Sequence, residues 1–231
     1  MPPHKPRKPP EVQPRPRVRR GNEEDAGRLR QDLLRAASDL FAEGGLDAVS
    51  VRAVAARVGV SAMTPYRYFA DKAELLSGLW QSVFEAAYEQ VVSAADAQAT
   101  GRGRLRASID AYIAFWEAHP DHYRLVYLIE GATKGGRAAL TTAPIYGALV
   151  EQAVQATQGL ADEIGAGTEH VKHANDVRLV MTLGYMYVAL GHRHHRYAWF
   201  DPAQLRASYI EQIVMAIERC LLHGPASPAG A

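Results

Sequence analysis

The chain has 231 residues, 48% of them hydrophobic, and a formal net charge of +1. That is enough apolar material for a sizeable core in one large domain or two small ones. A single cysteine, Cys220, excludes an internal disulfide framework. There is no uninterrupted apolar run of the ~18 residues a membrane span needs, and no apolar core of a signal peptide, so a cytoplasmic protein is expected.

The near-zero net charge hides an asymmetry. Residues 1–22 carry seven basic side chains (Lys5, Arg7, Lys8, Arg15, Arg17, Arg19, Arg20) against Glu11, and seven of the thirteen prolines. With almost no large apolar residue, this segment cannot offset its ordering entropy and is expected to be a disordered arm. It reads either as a solubilising tail or as an extra contact to phosphate or the minor groove.

From residue 23 the pattern is helical. Leu29, Leu33, Leu34, Ala37, Leu40 and Phe41 recur at helical spacing, which predicts a helix over 24–43 ended by Gly44-Gly45. Ser50 caps a short helix at 51–58, broken by Gly59. Ser61 caps a third at 62–68, and Asp71 opens a fourth, from Lys72 to about residue 95. Five more helices are predicted near 103–118, 120–130, 140–158, 168–198 and 202–222, with glycine clusters and Asp201-Pro202 between them. No sustained alternating pattern appears, so the fold class is all-α.

Helices 51–58 and 62–68, joined through Gly59-Val60, have the dimensions of a helix-turn-helix. The second carries "AMTPYRY", a polar-aromatic surface with little apolar periodicity to bury it. Such a face suits a major groove. Thr64 can bond a base edge or phosphate, and Ala62 and Met63 can meet a thymine methyl. Tyr66 and Tyr68 offer hydroxyls, and Arg67, Lys72 and Arg52 offer charge. The competing reading is ordinary core packing, the one favoured for Phe69.

Residues 33–76, "LLRAASDLFAEGGLDAVSVRAVAARVGVSAMTPYRYFADKAELL", closely resemble the DNA-binding domain of TetR/AcrR-family transcriptional regulators. The resemblance rests on "A..LF...G", "S.R..A...GVS", "YRYF" and "DK.ELL", and departs at Pro65, where leucine is commoner, and at the small Ala62. It implies a three-helix DNA-binding domain at 23–71 and a helical ligand-binding and dimerisation domain at 72–231, with the helix from 72 as connector. It further implies a homodimer on a palindromic operator of double-stranded DNA, most simply a repressor released by a small-molecule effector. The family's DNA contacts carry over to Ser50, Arg52, Ser61, Ala62, Met63, Thr64, Tyr66, Tyr68 and Lys72. "FWEAHPDHYRLVYL" (115–128) is similar to a His-Pro helix junction facing the ligand pocket in a large subclass of the family.

In the second half, Tyr112 and Trp116, Tyr123 and Tyr127, and Met181 and Tyr185 fall on helical stripes. They read either as solid core or as the walls of a pocket for an apolar or aromatic effector. Ile210, Ile213, Val214, Ile217 and Leu221 form one apolar stripe, expected at a two-fold dimer interface or packed within the subunit. The run "GHRHHRY" holds His192, His194 and His195 without a nearby acid or cysteine, and reads as a solvated basic face rather than a metal site. No phosphate loop, nucleophile elbow or spaced metal cluster is present, so no catalytic residue, metal or cofactor is assigned. A dimeric co-regulator without specific DNA binding is the alternative, opposed by the intact Arg52, Thr64, Tyr66 and Lys72.

Overall fold

Leu75, Leu76, Leu79, Trp80, Val83, Phe84, Ala87 and Val91 recur along one face of a long helix, and all are buried. That helix organises the molecule. The computed structural model describes residues 19–128, 144–191 and 202–225. The arm at 1–18, Ile129 and the histidine run at 192–196 lie outside the described residues.

The order is α1 (Arg19–Ala48), α2 (Val51–Val58), a 3-10 turn (Pro65–Arg67), α3 (Lys72–Asp96), α4 (Gly101–Ala118), α5 (Pro120–Tyr123), α6 (Pro144–Ile164), α7 (Val171–Met186) and α8 (Pro202–His223). No strand occurs among the described residues. α3 packs on α1 at one end and on α4 and α6 along its length. α7 packs on α8, and α4 touches both. Trp80 and Trp116 are fully buried in the resulting core. Each buried Leu, Val, Ile or Phe of this core contributes about 1.5–3 kcal/mol.

Several boundaries differ from expectation, each for a local reason. α1 begins at Arg19, inside the stretch expected as arm, and its helical geometry breaks at Gly44 and at Gly45 (φ 67). The third helix, expected at 62–68, is one 3-10 turn. Pro65 has no N–H to give the Ser61 carbonyl. Instead the Thr64 N–H bonds Ser61 O at 2.9 Å, and the Arg67 N–H bonds Thr64 O at 3.1 Å.

The helix expected over 120–130 is α-helical only to Tyr123 and continues as a π-helical segment, Arg124–Leu128. Gly159, expected to end a helix, lies inside α6, where its carbonyl nearly touches the Gly101 backbone of α4. The long helix expected from 168 opens with a 3-10 turn, Thr168–His170, and α7 passes into a π-helical segment at Tyr187–Gly191.

Candidate DNA interface and ligand cavity

Local capping builds the helix-turn-helix. Ser50 Oγ accepts from the Ala53 N–H at 3.1 Å and starts α2. At its other end Gly59 turns left-handed (φ 79, ψ 27). There the Gly59 N–H bonds Ala56 O at 3.2 Å, and the Val60 N–H bonds Ala55 O at 3.0 Å. These paired bonds are a Schellman stop, which only glycine adopts without strain. Asp71 Oδ1 then accepts from the Glu74 N–H at 2.8 Å, and Glu74 accepts in return from the Ala70 N–H.

Between these caps the chain presents a protruding edge. Met63 is 70% exposed and Tyr66 49% exposed, too much for either to be core. Ser50, Arg52, Ser61, Ala62 and Arg67 are also exposed, while Thr64, Tyr68 and Lys72 are half-buried. Pro65 and Phe69 point inward, and Arg30 covers the Phe69 ring at 5.4 Å. Ser61 Oγ accepts from the Met63 N–H at 3.3 Å, so it shapes the turn. Lys72 Nζ donates to Leu46 O at 2.9 Å and ties the start of α3 to the end of α1. Arg57 is held in a two-bond pair by Glu43, at 2.9 and 2.6 Å. Arg52 and Arg67 make no ion pair among the described residues.

A second feature lies among α3, α4, α6, α7 and the π-helical segment after α5. It is a cavity of about 480 Å³, with Phe84, Val91, Ile109, Leu149 and Leu183 in its apolar wall. Its polar groups cluster. Tyr112 and Tyr127 share a hydrogen bond of 2.7 Å between their hydroxyls, and both line the cavity with Tyr146, Arg178 and Thr182. Burial pushes the Tyr127 phenol well above its ordinary range, with the neighbouring Tyr112 adding to the effect. Burial likewise raises Tyr112, partly offset by its bond to Tyr127. Both therefore stay neutral hydroxyls at physiological pH. Burial lowers the Arg178 guanidinium to about 10, which still leaves it charged.

Residues 33–79 match the family model described as bacterial regulatory proteins, tetR family. The HTH-type transcriptional activator FasR of Mycolicibacterium smegmatis is 34% identical over 109 residues. That is 47% of this chain and 50% of FasR, so the match spans about half the length of that relative. Residues 33–79 thus match the tetR family of bacterial regulatory proteins. Solved structures agree in fold. A TetR-family transcriptional regulator from Streptomyces coelicolor superposes with a TM-score of 0.55 at 21% identity, covering 84% of this chain and 99% of that one. A protein of unknown function from Rhodococcus sp. RHA1 reaches a TM-score of 0.65 at 22% identity, covering 81% and 94%.

The sequence-selected pocket residues separate into two groups. Tyr112 and Tyr127 line the cavity. Trp116, Tyr123, Met181 and Tyr185 do not, because other contacts claim them. Trp116 is the hub of an edge-to-face cluster with Phe84, Tyr112, Phe115, Tyr123 and Tyr127. Tyr185 stacks on Tyr209 and donates to Glu117 at 3.1 Å. Met181 packs on the core beside them. The expected dimer stripe is likewise internal: Ile210, Ile213, Val214, Ile217 and Leu221 are all buried within the single subunit. α8 needs that face against its own neighbours.

Sequence reasoning missed Arg178 and Thr182. The signal was a lone arginine inside the otherwise apolar run "VRLVMTLGYMYVAL" (177–190).

Proposed function

We propose that this chain is a sequence-specific DNA-binding transcriptional regulator of the TetR family, active as a homodimer and gated by a small molecule in the cavity. The observation that carries the reading is the edge at Ala62–Arg67. Its large side chains are turned out to solvent beside Arg52 and Arg67, which have no carboxylate partner among the described residues, on a turn stiffened by its caps. A major groove accepts all of that combination. Ser50, Arg52, Ser61, Ala62, Met63, Thr64, Tyr66, Arg67, Tyr68 and Lys72 form the proposed contact set, with 23–71 as DNA-binding domain and 72–231 as effector and dimer domain.

Dimerisation follows from the two-fold that a palindrome demands. The apolar side chains left outside on the last helices include Leu179, Val180 and Val188, with Leu205, Met215 and Leu222 on α8. These, rather than the buried stripe, are proposed to meet a second copy. The regulator acts in the cytoplasm as a repressor that the effector releases. FasR is named an activator, so operator binding and its loss, not the sign of regulation, are the core of the reading.

Selection of random duplex DNA against the full chain tests it. An enriched palindrome, bound more weakly by Tyr66→Ala and by Arg52→Ala while both variants still sediment as dimers, is expected. No enriched sequence, or unchanged affinity in both variants, refutes the recognition surface. Val180→Glu is expected to sediment as a monomer and to lose the palindrome.

A further inference from the structure

Arg178 stands out among the cavity groups. It is a permanent cation, half-buried in the cavity wall, and among the described residues it makes no ion pair. Its one recorded bond runs from Nε to Asn175 Oδ1 at 3.1 Å, one turn back on α7. A guanidinium has five N–H donors in a planar fork, so most of this fork is unspent. Asp176 also borders the cavity, but it sits two positions away on the helix, is exposed, and makes no pair with Arg178.

The nearby polar groups are donors too. Tyr112 and Tyr127 share a single hydrogen bond, which uses one hydroxyl proton and leaves the other. Thr182 Oγ1 is buried with no hydrogen-bond partner, in the same wall and one helical turn beyond Arg178. A half-buried cation without an acid partner and a buried unsatisfied hydroxyl are both costly, and an acceptor-rich anion relieves both.

We propose that the cavity takes an amphiphilic organic monocarboxylate, with its carboxylate on Arg178 and the Tyr112/Tyr127/Thr182 hydroxyls and its apolar body along Phe84, Ile109 and Leu149. A carboxylate matches the planar fork in two parallel bonds. One cation balances one charge; a phosphate monoester would leave its second charge in the apolar cavity. The volume suits a body the size of a medium-chain or arylalkyl acid. This ligand class rests on the reading of the cavity as an effector site, and the experiment separates the two.

The test uses the full chain, with octanoate, decanoate, dodecanoate and phenylbutanoate as probes and the matching alcohols as controls. Binding is read by calorimetry below the micellar range. At least one acid is expected to bind, and more tightly than its alcohol by about 10- to 100-fold, the worth of a charged hydrogen-bonded pair. Arg178→Met should erase that preference while still binding the alcohol, which shows that the cavity is intact. Arg178→Lys should retain part of it. If no acid binds, if acid and alcohol bind alike, or if Arg178→Met keeps the preference, the proposal is overturned. The same acids are then added to the complex with the selected palindrome. Binding without any change in DNA affinity would sink the effector reading and leave the carboxylate site standing.

Discussion

Ser38 and His122, 84 residues apart, meet through Oγ and Nε2 at 2.7 Å. The contact joins α1, which supports the helix-turn-helix, to α5, whose continuation carries Tyr127 into the cavity wall. It is a polar link between the proposed DNA-binding domain and the short helix that leads into the cavity wall. Ser38→Ala is expected to leave palindrome and ligand affinities within about threefold, since each site keeps its own residues. It should shrink the effect of one on the other, a coupling commonly about 1–3 kcal/mol. DNA titrations with and without ligand, in wild type and variant, measure it; an undiminished effect would show that this bond does not carry the coupling.

The same histidine makes stability depend on pH. Burial holds the His122 pKa below 6.5, and the neighbouring His119 lowers it further against an opposing pull from Asp121. Its Nδ1 is buried without a partner. The unfolded chain therefore takes up this proton first. Above 6.5 both states are neutral and nothing is lost; as pH falls below 6.5 toward the folded value, the native state loses stability. Urea midpoints measured across that window should fall more steeply for wild type than for His122→Asn. Parallel profiles would exclude His122 as the source.

Gly101 and Gly159 predict opposite outcomes for one chemical change. A Cβ on Gly101 would run into the Gly159 carbonyl oxygen, a backbone atom that cannot rotate away. A Cβ on Gly159 meets nothing closer than 3.9 Å. Gly101→Ala should force α4 and α6 apart and cost about 1–3 kcal/mol, as overpacking does. Gly159→Ala should be neutral or stabilising by up to about 1 kcal/mol, through helix propensity. Thermal unfolding of the two variants decides it.

Arg206 fastens α8 to α4. Its Nε donates to Asp110 at 2.9 Å and its Nη1 to Glu117 at 2.8 Å, and Glu117 also accepts from Tyr185. Arg206→Ala would leave two partly buried carboxylates without their cation. The side chains retain some solvent, so the expected cost is about 1–3 kcal/mol, below that of breaking a fully buried pair. A denaturant midpoint lower than wild type, and lower than that of Arg35→Ala on the exposed face of α1, is the expected result.

Gly59→Ala tests the turn itself. At φ 79 a side chain is strained whatever space surrounds it, and none is occupied within 4 Å. The expected cost is about 1–2 kcal/mol from backbone conformation alone. DNA affinity should fall more than thermal stability alone requires, because the angle between α2 and the recognition turn changes. Loss of stability with unaltered affinity for the palindrome would show that the edge does not depend on this geometry.

What the sequence determined by itself was local. The caps at Ser50 and Asp71, the left-handed stop at Gly59 and the apolar stripes of α1 and α3 need only a residue and its neighbours within about one turn, where hydrogen-bond geometry and φ preferences act. The exposed Met63 and Tyr66 were legible for the same reason: no apolar periodicity was there to bury them. At Pro65 the local reading failed: a helix is expected over 62–68, but a missing N–H in the middle of so short a helix favours a 3-10 turn. Tertiary packing decided the rest. The stripe from Ile210 to Leu221 announces burial but not against what, and only the placement of α8 turned it inward. Trp116 and Tyr112 share one face of α4, yet the first is the hub of the aromatic cluster and the second also borders the cavity. Arg178 and Thr182 joined the site because α7 crosses α4 and α6 there, and a cavity is the space several helices leave between them, which no single helix encodes.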